Sequence, residues 1–199
     1  MRRPPVRRQV LQGLALLPLL PLLPLLPLLP LLPWLPGAAQ AQGVDLATLN
    51  LQRSNGALLL DFAVRLTMSR TVEEALHRGV PVYFVAEATL YRHRWYWRDE
   101  RVARVSHHWR VAYQPLTSTW RVGTGGLNQP YATLPEALVA VSSSAGWKIA
   151  ELAQVDPDSR HHLDFSYRLD TSQLPGPMQI GLGGQADWTM RVERSVRVE

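Results

Sequence analysis

Residues 92–101, Arg-His-Arg-Trp-Tyr-Trp-Arg-Asp-Glu-Arg, gather the side chains best suited to binding in this chain. Trp, Tyr and Arg offer large contact areas and dominate recognition surfaces. If strand geometry runs on through the segment, Tyr91, His93, Trp95 and Trp97 share one face, and Arg92, Arg94, Tyr96 and Arg98 the other. The cheaper expectation buries the tryptophans in a core and leaves the arginines outside, paired with Asp99 and Glu100. The alternative makes Arg94, Trp95, Tyr96 and Trp97 an interaction surface for a protein partner, or a stacking surface for a small ligand or glycan.

Six histidines raise the question of a metal. His107-His108 and His161-His162 are adjacent pairs, so on strands each pair divides between faces. His107 and His161 then fall on core faces, and His108 and His162 on solvent faces. His108, His162 and Asp164 form one cross-strand site only if their strands are neighbours. The helical or turn spacing usual for zinc ligands is absent, so no metal is expected.

Catalytic patterns are equally sparse. The chain has no Gly-x-Ser-x-Gly elbow, and without cysteine it has no thiol nucleophile. Gly123-Thr124-Gly125-Gly126 lacks the Lys-Ser/Thr of a phosphate loop and reads as a turn. Glu87, Asp99 and Glu100, or Asp164 and Asp170, supply carboxylates for glycosidase chemistry, but solvated strand faces explain them more simply. The expectation is a non-enzymatic protein with no catalytic residue and no cofactor. A hydrolase using carboxylates or a His-bound metal is the enzymatic alternative.

The elements that must carry these residues are mostly strands. Leu58, Leu60, Phe62, Val64 and Leu66 alternate with polar neighbours; so do Val105, His107, Trp109, Val111 and Tyr113; so do Leu163, Phe165, Tyr167 and Leu169. Trp188, Met190 and Val192 continue the pattern. Period-two alternation marks half-buried strands. Shorter strands are predicted at Leu46–Gln52, Thr119–Val122 and Trp147–Leu152, and Val80–Ala86, apolar on both faces, predicts a central one. Thr71-Val72-Glu73-Glu74 and Thr133-Leu134-Pro135-Glu136 are capping boxes for two short helices, the first stopped by Gly79. The fold class is mainly β: an antiparallel β-sandwich, immunoglobulin-like in general architecture, with two short helices in its connections.

Ahead of this domain, residues 1–41 read as a signal peptide. Two arginine pairs precede six Leu-Leu-Pro triplets, Leu16 to Pro33, and Ala39-Gln40-Ala41 predicts cleavage after Ala41, with Ala39 and Ala41 as the small residues of the site. A proline every third residue favours a polyproline II rod over a helix. Its bare carbonyls are unsatisfied in lipid, so no stable membrane span is expected after cleavage. Arg7-Arg8 leaves the twin-arginine and general export routes both open. The chain carries 21 basic and 16 acidic side chains, a net of +5. Four of the arginines lie in the leader, which has no acid, so the remainder is near neutral at +1 and nucleic acid is not an expected partner. Residues 44–199 are expected to fold as a single domain held by packing alone.

Several phrases then carry a family resemblance. They are Glu73-Glu74-Ala75-Leu76 with Arg78-Gly79-Val80-Pro81, Tyr83-Phe84-Val85-Ala86-Glu87, Arg94-Trp95-Tyr96-Trp97, Tyr113-Gln114-Pro115-Leu116-Thr117, Leu134-Pro135-Glu136-Ala137-Leu138 and Leu169-Asp170-Thr171-Ser172-Gln173-Leu174-Pro175. In this order they resemble the DUF4390 family of exported proteobacterial proteins, some labelled proline-rich signal peptide proteins. The resemblance brings no activity and no assigned site residue. Its members often lie beside a gene for a membrane sensor kinase of the nitrogen-regulation type. That implies a periplasmic or secreted module whose partner is an envelope or membrane protein.

Overall fold

The computed structural model describes residues 43–96, 98–176 and 186–198. The expected cleavage residues, Ala39 and Ala41, and Trp97 lie outside them. Nine strands are described: β1 (Gly43–Ser54), β2 (Ala57–Thr67), β3 (Val82–Arg92), β4 (Glu100–Gln114), β5 (Thr119–Thr124), β6 (Leu127–Tyr131), β7 (Ser143–Glu151), β8 (His161–Leu169) and β9 (Arg191–Val198). Two helices join them, α1 (Arg70–His77) and α2 (Leu134–Val141). The strands form two antiparallel sheets, one ordered β1-β2-β7 and the other β6-β5-β4-β3-β8-β9. This is the expected mainly-β, sandwich-like arrangement.

Alternation explains how the layers meet. Leu58, Leu60, Phe62 and Val64 turn from β2 toward the core, as do Leu163, Phe165, Tyr167 and Leu169 from β8. Phe62 is the aromatic hub between the sheets. Its ring lies 4.9 Å from Phe165, 6.1 Å from Tyr167 and from Trp147, and 6.3 Å from Trp109. β3 lies between β4 and β8, and its Val82, Phe84, Val85, Ala86, Ala88 and Leu90 are all buried, so its apolarity on both faces matches a central strand. β1 and β2 are joined by Asn55-Gly56, whose φ angles of 51° and 73° are those a two-residue hairpin turn requires.

The structure corrects the sequence reading in several places. The N-cap of α1 is Ser69, two residues before the expected Thr71; its hydroxyl accepts from the Val72 amide. Gly79 ends α1 as expected, at φ 85° and with its amide on the Leu76 carbonyl at 2.8 Å. Thr133 caps α2 as expected. Trp188 belongs to a 3-10 turn, Ala186–Trp188, and the last strand starts only at Arg191. β6, absent from the sequence reading, takes Pro130 because it is an edge strand and spends no amide on a second neighbour.

Candidate functional site

The last paired residues of the β3–β4 hairpin are Arg92 and Glu100, so residues 93–99 form its tip. The strand therefore does not continue through Arg94–Tyr96, and the expected burial of the tryptophans fails for the described ring: Trp95 is 88% exposed and Tyr96 63%. The reason is local. The pairing with β4 stops at Arg92; the His93 amide still donates to the Arg160 carbonyl at 2.8 Å, in register with β8, and the Arg94 amide then turns to the Asp99 carboxylate at 3.3 Å. With no further residue of β4 to pair with, the chain turns and carries Trp95 and Tyr96 outward.

A polar brace holds this tip to the sheet. Glu100 accepts from the guanidiniums of both Arg92 and Arg94, and Arg92 also lies 3.8 Å from Asp156. Asp99 stands between two histidines, 3.1 Å from His93 Nδ1 and 3.8 Å from His162 Nδ1. The His162 ring stacks on Tyr91 of β3 at 5.2 Å. The hydrogen bond from Arg92 holds the Glu100 carboxyl below its ordinary range, and the Arg94 amide does the same for Asp99. Both stay charged, and the loop is tied at both ends. Beside it opens a concavity of about 510 Å³ lined by His93, Arg160, His161, His162, Ser195, Val196, Arg197 and Val198.

Trp95 and Tyr96 meet edge to face, 5.2 Å apart at 72°. They present a knuckle with a polar tip on each ring, not the single flat platform that stacks a sugar. Arg94 belongs to the brace more than to the contact face. Asp156 and Arg160 escaped the sequence reading, and the place of His162 beside the tip was hidden too, because it depends on the pairing of β3 with β8.

The other candidates disperse. His108 pairs opposite Val85 and His162 opposite Tyr91, six residues apart along β3 and on opposite sides of it. At about 3.3 Å per residue they are roughly 20 Å apart, so His108, His162 and Asp164 form no common site. His107 stacks on Trp147 at 4.4 Å, and buried His161 lies 3.0 Å from the Ser159 carbonyl. Among the described residues no group of three or more histidines and carboxylates is placed to hold a metal. Of the carboxylates that glycosidase chemistry would draw on, Asp99 and Glu100 belong to the brace, Glu87 takes Arg104 at 2.7 Å, and Asp170 caps the turn at Ser172.

Fold and tip together define an antiparallel β-sandwich domain with a braced aromatic hairpin at one end. The chain belongs to the family described as a domain of unknown function, DUF4390, whose model matches residues 41–197. No curated protein and no solved structure matches it.

Proposed function

We propose that this protein is a non-enzymatic interaction module, exported to the cell envelope, that engages a membrane-associated protein there through the tip of its β3–β4 hairpin. The observation that carries the reading is the exposure of Trp95 and Tyr96 on a tip whose base is fixed by charged groups. Two adjacent exposed rings form an apolar patch of the kind that marks contact surfaces. A braced loop also loses little conformational freedom on binding, which improves affinity. Export is supported by the basic start, the apolar stretch and Ala39-Gln40-Ala41. The T-shaped rings offer no flat platform for glycan stacking.

The test is a photoreactive residue at position 95 or 96, irradiated in intact producing cells. A covalent adduct with one membrane protein is expected, with none from the same residue at Leu116, exposed in the β4–β5 turn at the other end of β4. Adducts in equal amount from both positions, or from neither, would sink the reading.

A further inference from the structure

We infer that the hairpin tip seats itself in the headgroup layer of an anionic phospholipid bilayer, so that the module meets its protein partner while resting on the membrane surface. The inference rests on the tip being the contact face, and adds what it touches first. Two exposed aromatics, Trp95 and Tyr96, stand on the tip, with Arg94 and Arg98 near them in the sequence. Trp and Tyr have an apolar body and a polar edge, and they collect at the level of bilayer headgroups.

Area separates a lipid from a protein as the first contact. An aromatic side chain buries about 150–250 Å², so Trp95 and Tyr96 together supply roughly half of the ~800 Å² that each partner contributes to a stable protein interface. A convex knuckle, its two rings at 72°, also demands a matching pocket from a protein partner. A headgroup layer deforms around it and needs no matching shape.

Charge supplies the complement. Among the described residues no ion pair involves Arg98, Arg101, Arg160 or Arg197, all exposed. Arg160 adjoins the tip through its carbonyl bond to His93. Arg160 and Arg197, with His93 and His162, line the concavity of about 510 Å³ beside it. Three of the neighbouring acids are already engaged: Glu100 by Arg92 and Arg94, Asp99 by His93 and the Arg94 amide, Asp156 by Ser159 and Arg92. Lipid phosphates drawn to these guanidiniums keep the rings at headgroup depth, each arginine near the surface strengthening binding by about fivefold.

The experiment is flotation of the protein, recovered from the envelope of producing cells, with vesicles of phosphatidylglycerol and phosphatidylethanolamine, and with neutral phosphatidylcholine vesicles. Binding to the anionic vesicles is expected, weakening as salt is raised. It should fall at least about tenfold in W95A/Y96A and about fivefold in Arg98→Gln, while Leu116→Ala binds as the unaltered chain does. Circular dichroism confirms that the tip variants fold, since neither ring belongs to the core. Flotation that is absent, equal on neutral vesicles, or unchanged in W95A/Y96A overturns the inference. If the position-95 adduct with a membrane protein still forms in that event, the interaction reading survives alone; if both fail, the tip is not the contact face.

Discussion

The phenolic oxygen of Tyr167 donates to the main-chain carbonyl of Val141 at 2.9 Å, inside the core. Tyr167 lies on β8 of the six-stranded sheet, while Val141 ends α2, which leads into β7 of the three-stranded one. One hydrogen bond thus fastens the strand bearing Phe165 and Tyr167 of the aromatic cluster to the helix that delivers the opposite layer. Burial pushes the phenol well above its ordinary value, so it remains a donor at any working pH. Tyr167→Phe keeps the ring against Phe62 and Phe84 but leaves a buried carbonyl without its donor. The expected cost is about 1–3 kcal/mol, read as a lower urea midpoint at unchanged slope. Vesicle binding and crosslinking at the tip should not change.

The buried hydroxyl of Ser69 does two things at once: it accepts from the Val72 amide at 3.2 Å and donates to the Asp187 carbonyl at 3.1 Å. It caps α1 and fastens it to the turn before β9. Thr71, the residue the capping-box pattern selects, is exposed and donates to the Asp187 carboxylate instead. Ser69→Ala should therefore cost about 1–2 kcal/mol, and Thr71→Ala less than that. Equal losses in thermal or urea denaturation would place the cap where the pattern put it.

That contrast marks the limit of what local sequence conveys. β2 and β8 were legible because one face of each is buried, and a strand half in water writes its orientation into every second residue. The centrality of β3 was legible for the complementary reason. At the tip the same logic misled, because Tyr91, His93, Trp95 and Trp97 alternate as well as any strand does. Periodicity cannot report where the neighbouring strand ends, and that end, Arg92 opposite Glu100, is what turns a core stripe into a surface. The separation of His108 from His162 was equally hidden, since it depends on strand order. Trp188 is buried as its apolarity requires, but in a 3-10 turn, so burial was legible there and conformation was not.

Acid should weaken the fold in two stages. His107 packs between Trp147 and Trp109, and burial first, then the charge of His108, lowers its pKa below the ordinary 6.5. The unfolded chain takes up that proton more readily, so the stability His107 contributes is complete above pH 6.5 and lost as pH falls through the folded value. Asp99, Glu100, Asp156 and Asp170 are each held below their ordinary values of 3.8 or 4.5 by hydrogen bonds. Their contribution is complete above those values and lost as pH falls through the lower folded ones. A plot of urea midpoint against pH should show a shallow decline beginning just below 6.5 and a second beginning near 4.5. His107→Phe, which keeps a ring against Trp147, should remove the first step alone, and Glu100→Gln should reduce the second. A single acid transition, unaltered by His107→Phe, would contradict the assignment.

The leader carries the prediction on which the setting depends. Six Leu-Leu-Pro triplets are apolar enough to enter an export channel, yet a proline at every third position removes the amides and the helical geometry that residence in lipid requires. Such a segment is proposed to pass through the membrane without keeping a stable place in it. The chain should therefore be released by cleavage after Ala41, and N-terminal sequencing of envelope material should begin at Gln42. Ala39→Leu with Ala41→Leu, which replaces both small residues with bulky ones, should leave an uncleaved form held in the membrane fraction. If protein starting at Met1 accumulates in the cytosol, or the double substitution leaves processing unchanged, export by this peptide is excluded, and with it the membrane surface that the Trp95–Tyr96 tip is proposed to reach.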